Sequence, residues 1–123
     1  MARIRTVKPE MWADERVGRI SRDARVLFVG LITLADDEGR FRALPSVILG
    51  HIFPYDNDAA RKLTGWVDEL LSQGLVEVYS HDDMPYGVIP KWLKHQKISH
   101  SRPSILPSPS VNGNRTLPKK VGK

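Results

Sequence analysis

Lys91, Lys94 and Lys97 surround Trp92 and His95 in a stretch without a carboxylate, and residues 91–123 hold eight Lys and Arg and no Asp or Glu. The chemistry open to such residues is phosphate binding, because each ammonium or guanidinium that meets a polyanion displaces a condensed counterion. The other cations that can act in this way are Arg3, Arg5 and Lys8 near the start, Arg61 and Lys62 in the middle, and Arg102 near the end. Residues 1–25 carry seven cations against four acids and residues 26–90 four against ten, so the formal charge of +5 is made at the two ends. Solubility alone does not require such sorting, and nucleic acid is the first partner it implies.

Catalytic and metal chemistry find less support. There is no cysteine, and neither His95 with His100 nor His51 and His81 near Asp82 and Asp83 has the spacing of a familiar zinc motif. Asp36, Asp37 and Glu38 are consecutive and precede Gly39, which reads as a turn after a helix rather than a divalent-ion site for phosphodiester chemistry. No glycine-rich phosphate loop or Gly-x-Ser-x-Gly elbow is present. A non-enzymatic protein with no cofactor and no metal is expected. The absence of cysteine, of an apolar leader and of any run near the roughly 18 apolar residues of a membrane span points to a cytoplasmic protein without membrane contact.

At 123 residues the chain has the length of one domain with a small core. Three units are expected: a basic arm over 1–20, a domain over 21–98, and a basic tail rich in Pro and Ser over 99–123, flexible or draped on the domain. In the arm, Ile4, Val7, Met11 and Trp12 are apolar anchors and Pro9 opens a short helix. Ser21 caps a helix over 22–35, whose positions Ala24, Leu27, Phe28, Leu31, Leu34 and Ala35 follow the helical period. Arg40 to Ala43 form a short strand, and Pro45 starts a short helix that Phe53 and Pro54 stop. Asp56 or Asn57 caps a third helix with the stripe Leu63, Trp66, Val67, Leu70 and Leu71, closed by Gly74. The period then becomes extended: strands over 75–79 and 86–90 flank a turn over 80–85, and Trp92 anchors the chain after the hairpin.

This order predicts an α+β chain of the winged helix-turn-helix type, with three main helices and a β-hairpin wing. In that geometry the outward N-terminal residues of the third helix enter the major groove, here Arg61, Lys62 and Thr64, with Asp68 on the same side. Arg3, Arg5 and Lys8 then reach phosphate from the arm, and Lys91, Lys94, Lys97 and Arg102 from beyond the wing, so that the flanks frame the helix. Asp56, Asp58, Asp68 and Glu69 keep that helix from being strongly basic, which leaves open that Arg61 and Lys62 are solvated surface charges.

The segments RIRTVKPEMW (3–12), SRDARVLFVGLITLADDEGRF (21–41), FPYD (53–56) and WLKHQKI (92–98) resemble a family of bacteriophage and prophage DNA-binding proteins. Its members are similar to the N-terminal winged-helix domains of phage replication initiators, or replisome organisers. The resemblance runs from residue 3 to about 109. It implies double-stranded DNA binding in replication initiation in a bacterial host cell, with other replication proteins as further partners. Transcriptional regulation is the nearest alternative, and a protein-interaction module is the alternative of another class. Trp12 and Trp92, lying outside the central helices, can pack within the chain or between chains, and the second case is a homodimer.

Overall fold

A computed structural model describes residues 4–98 and 100–109. Its elements are α1 (Glu10–Ala13), α2 (Glu15–Gly18), α3 (Arg22–Leu34), β1 (Arg40–Arg42), α4 (Pro45–Ile52), α5 (Ala59–Ser72), β2 (Glu77–His81), β3 (Met84–Val88) and α6 (Trp92–His95). The described residues thus form an α+β unit of six helices and one three-stranded antiparallel sheet, compatible with a winged-helix order. None of these helices is long and apolar enough to cross a membrane.

Local chemistry accounts for most boundaries. The Ser21 hydroxyl accepts the Ala24 N–H at 3.2 Å and starts α3. Glu69 of α5 then accepts both the Ser21 N–H and its hydroxyl, so the start of α3 is tied to another helix. Pro45 occupies the first turn of α4, where its missing N–H costs nothing. Gly74, at φ 70°, ends α5: its N–H reaches the Leu71 carbonyl and the Leu75 N–H reaches that of Leu70, the paired bonds of a Schellman motif. The expected cap of α5 by Asp56 or Asn57 is corrected. Asp58 precedes the helix without a side-chain cap, because its carboxylate is taken by Lys62, and only the Asp56 main-chain carbonyl receives the Ala59 N–H.

The hairpin is tighter than expected. Its turn is only Asp82 and Asp83, both with positive φ, and Pro85 lies inside β3 rather than in the turn. A two-residue turn of this kind matches the twist of the strands, and Asp tolerates the left-handed conformation. β3 is the central strand, in the order β1-β3-β2. Pro85 is accommodated there because its carbonyl faces β1, accepting the Ala43 N–H at 3.1 Å. Its missing N–H lies on that same side, past the end of the ladder at Arg42 and Tyr86.

One apolar cluster joins the helices to the sheet, with Leu27, Leu31, Ile48, Leu63 and Leu70 packed beside Phe41, Val78 and Ile89. Val17 and Ile20 belong to it, so the second half of the expected arm is part of the core. Trp92 is buried within its own chain, its indole N–H donating to the Asp37 carbonyl at 3.0 Å. That removes Trp92 as a ground for a dimer. Gly39, at φ 80°, makes this seat possible, since a Cβ there would meet the Trp92 ring at 2.8 Å.

Of the two forms expected for the segment from residue 99 onward, flexible or draped, residues 102–107 take the draped one. Arg102 N–H donates to Asp37, Ser104 N–H to Glu38 and Ser104 hydroxyl to Asp36. The Leu106 carbonyl accepts from Arg40 at 3.1 Å, and the Pro107 carbonyl accepts from the Tyr79 hydroxyl at 2.7 Å. Three consecutive carboxylates provide the acceptors that hold a segment with too few apolar residues to pack by itself. Residues 110–123, the rest of the expected tail, lie outside the described residues.

Candidate nucleic-acid interface

The buried stripe of α5, Ala59, Leu63, Trp66, Val67 and Leu70, fixes which side of that helix faces outward. Ala60, Arg61, Lys62, Gly65 and Asp68 are exposed and Thr64 is half-buried. Ala60 and Gly65 are small, so another surface can come close to the helix beside Arg61. Arg61 makes no ion pair among the described residues, whereas Lys62 pairs with Asp58 at 3.1 Å. Hydrogen bonding to Lys62 holds the Asp58 carboxyl below its usual range. Glu69 is occupied by Ser21, which leaves Asp68 as the acid on the outer side of α5.

A second cationic group is assembled from both ends of the chain. Thr6 donates its N–H to Gln96 Oε1 at 3.0 Å, and Gln96 Nε2 returns a bond to the Thr6 carbonyl at 2.8 Å. This exchange sets residues 6–8 alongside α6, where Lys8 Nζ donates to the Lys94 carbonyl at 3.0 Å. Lys8, Lys94 and Lys97 then line an open groove of about 680 Å³ with Thr6, Leu93, Gln96 and Ile98, a lining that contains no acid. Burial, and then the charges of Lys8, Arg16 and Lys94, push the His95 imidazole below its usual value. Lys91, in the left-handed conformation at φ 59°, is exposed at the entry to α6.

The lysine groove is built from residues 6–8 and the α6 segment and takes no residue from α5. Lys8 and His95 share a pocket with Leu75, the residue that leads from α5 to β2. The lysine groove is therefore placed at the base of the hairpin, whereas Arg61 opens the helix. At about 1.5 Å per residue, Arg61 and Ser72 are roughly 16 Å apart along the axis. The hairpin tip does not extend the cationic surface, because Asp82 and Asp83 are exposed there beside His81.

Arg5 is removed from the phosphate-binding set. Its side chain is 3% exposed, pairs with Asp37 at 3.0 Å, donates to the Ala35 carbonyl at 2.9 Å and lies 5.2 Å over the Trp92 ring. Alternation of charged and apolar residues in 3–8 gave no sign that this arginine turns inward while Lys8 turns out. Arg3 lies outside the described residues. Arg102 is exposed, with its backbone fixed by Asp37. Sequence reasoning missed Arg16 as a neighbour of His95, and it read Asp36, Asp37 and Glu38 only as a turn.

Compared with known proteins, the chain matches no family model, no curated protein and no solved structure.

Proposed function

We propose that the protein is a winged-helix protein that binds double-stranded DNA and serves phage-type replication initiation in the cytoplasm of a bacterial host. In this reading α4 and α5 are the helix-turn-helix, β2 and β3 the wing, and α5 the element that enters the major groove. The observation that carries it is the outward first half of α5, where Arg61, with no ion pair among the described residues, stands between the small residues Ala60 and Gly65. A guanidinium in that position can meet guanine O6 and N7 with two parallel bonds, while Lys62 and Thr64 contact neighbouring edges or phosphates. Lys8, Lys94 and Lys97 supply the sequence-independent part of the affinity, to which the exposed Lys91 and Arg102 add. The resemblance to replication initiators favours origins over promoters.

The acidic wing tip supports a second reading, a protein-interaction module, since Asp82 and Asp83 repel phosphate. Selection of binding sites from a random duplex pool separates the two. An enriched sequence is expected, and Arg61→Ala should weaken binding to it by about 1–3 kcal/mol and much less on random DNA. No enrichment, or enrichment that Arg61→Ala leaves intact, overturns the assignment of α5 as reader.

A further inference from the structure

We propose that the groove between α1 and the outward face of α3 docks an acidic amphipathic helix of a partner protein. α3 carries two stripes at helical spacing. Ala24, Leu27, Phe28 and Leu31 form the buried one, and Arg22, Arg25, Val26 and Val29 repeat the i, i+3, i+4, i+7 pattern on another face. Val26 is 53% exposed, and Trp12 of α1, 60% exposed, stands over the same groove. Single exposed apolar residues need no explanation, but here Trp12, Val26 and Val29 line one groove of about 420 Å³ whose other walls are Arg22 and Arg25.

Charge decides the occupant. Arg22 is exposed without an ion pair among the described residues, and Arg25 is held at the rim because its guanidinium donates to the Val17 and Gly18 carbonyls, which leave its charge in place. Asp23, the adjacent acid on α3, does not line the groove. An apolar floor with a cationic rim suits a helix that presents apolar anchors at i, i+3, i+4 and i+7 flanked by Asp or Glu. Trp12 then serves as the central anchor, the residue type most enriched among energetically dominant contacts. A second copy of this chain fits poorly, because two-fold pairing of this face sets Arg22 and Arg25 against their own equivalents. Duplex DNA would meet the arginines and leave the apolar floor uncovered. This inference does not depend on the DNA reading.

The test is selection from a random library of helical peptides against the full chain, followed by binding of the selected peptides to the parent, Trp12→Ala and Arg22→Glu proteins. Trp12 is exposed, so its replacement leaves the core intact, which circular dichroism checks. The selected peptides should carry acids around helically spaced apolar residues and shift tryptophan emission to the blue. Trp12→Ala and Arg22→Glu should each weaken them about tenfold or more. Failure to select any binder, selection of basic peptides, or equal binding to Trp12→Ala overturns the proposal. So does a parent dimer in sedimentation that Trp12→Ala dissociates, which would assign the groove to a second copy, or direct competition by duplex DNA.

Discussion

Replacing Arg5 by alanine should cost stability and leave DNA affinity alone, the reverse of what a phosphate-contacting arm residue would do. The Arg5 and Asp37 side chains are 3% and 6% exposed and meet at 3.0 Å. Removing one member of a buried ion pair costs about 3–5 kcal/mol, because the other charge stays in a poorly solvated place. The Asp37 carboxylate keeps the Arg102 N–H at 3.1 Å, which puts the expected loss near the lower end, about 3 kcal/mol. Arg5→Ala also strips the Ala35 carbonyl of its 2.9 Å donor and the Trp92 ring of its cation, so the loss has more than one source. Arg5 Nε has no hydrogen-bond partner, the one such buried side-chain atom among the described residues, and its removal returns part of the cost. Urea denaturation is the assay. With a slope of about 1–3 kcal/mol per molar, the midpoint should fall by about 1–3 M. Arg5→Lys, which keeps the charge and loses the planar fork, should fall between. A loss under about 1 kcal/mol, or an affinity for random DNA that drops at equal folded fraction, refutes the structural role.

Glu69→Ala should destabilise the chain by about 1–2 kcal/mol in urea, since it frees the Ser21 N–H and hydroxyl at the start of α3; a neutral result contradicts the tie between α3 and α5. Burial raises the Tyr79 phenol to about 12, so truncation after His100, which removes the segment whose Pro107 carbonyl it meets, should return it toward 10 in an ultraviolet titration. The same shift means that the unfolded phenol ionises first, so stability should fall as pH rises from 10 toward 12 in the parent and less in the truncated chain. Lys8→Ala should raise the His95 pKa, and so should duplex DNA seated in the lysine groove, both read by NMR titration; an unmoved imidazole separates His95 from that groove.

The residues that locate α3, α4 and α5 act locally, which is why the sequence alone showed them. Ser21 caps its own helix, Pro45 opens one, Gly74 closes one, and the apolar stripes carry the helical period. The turn of the hairpin was misjudged because Pro85 is a turn residue in isolation, and only the position of β1 shows that its missing N–H falls past the ladder. Contacts between chain ends were not legible. Nothing in the spacing of Thr6 and Gln96, or of Asp36 and Ser104, announces bonds across 90 and 68 residues. These contacts turn Arg5 into a buried residue, dock residues 102–107, and move the arm lysine next to Lys94. The cationic set was therefore visible as a composition, whereas its division into the outward residues of α5 and a groove lined by Lys8, Lys94 and Lys97 required the fold.

The most direct measurement of DNA binding is a salt titration of duplex affinity for the parent chain and for a variant with Lys8, Lys94 and Lys97 all replaced by alanine. The parent is expected to lose affinity linearly in logarithmic salt. The variant should bind every duplex more weakly, with a slope shallower by about 0.9 for each lost phosphate contact, or about 2.7 if all three lysines make one. A parent that does not bind duplex DNA, or a triple variant whose affinity and slope match those of the parent, would contradict the account.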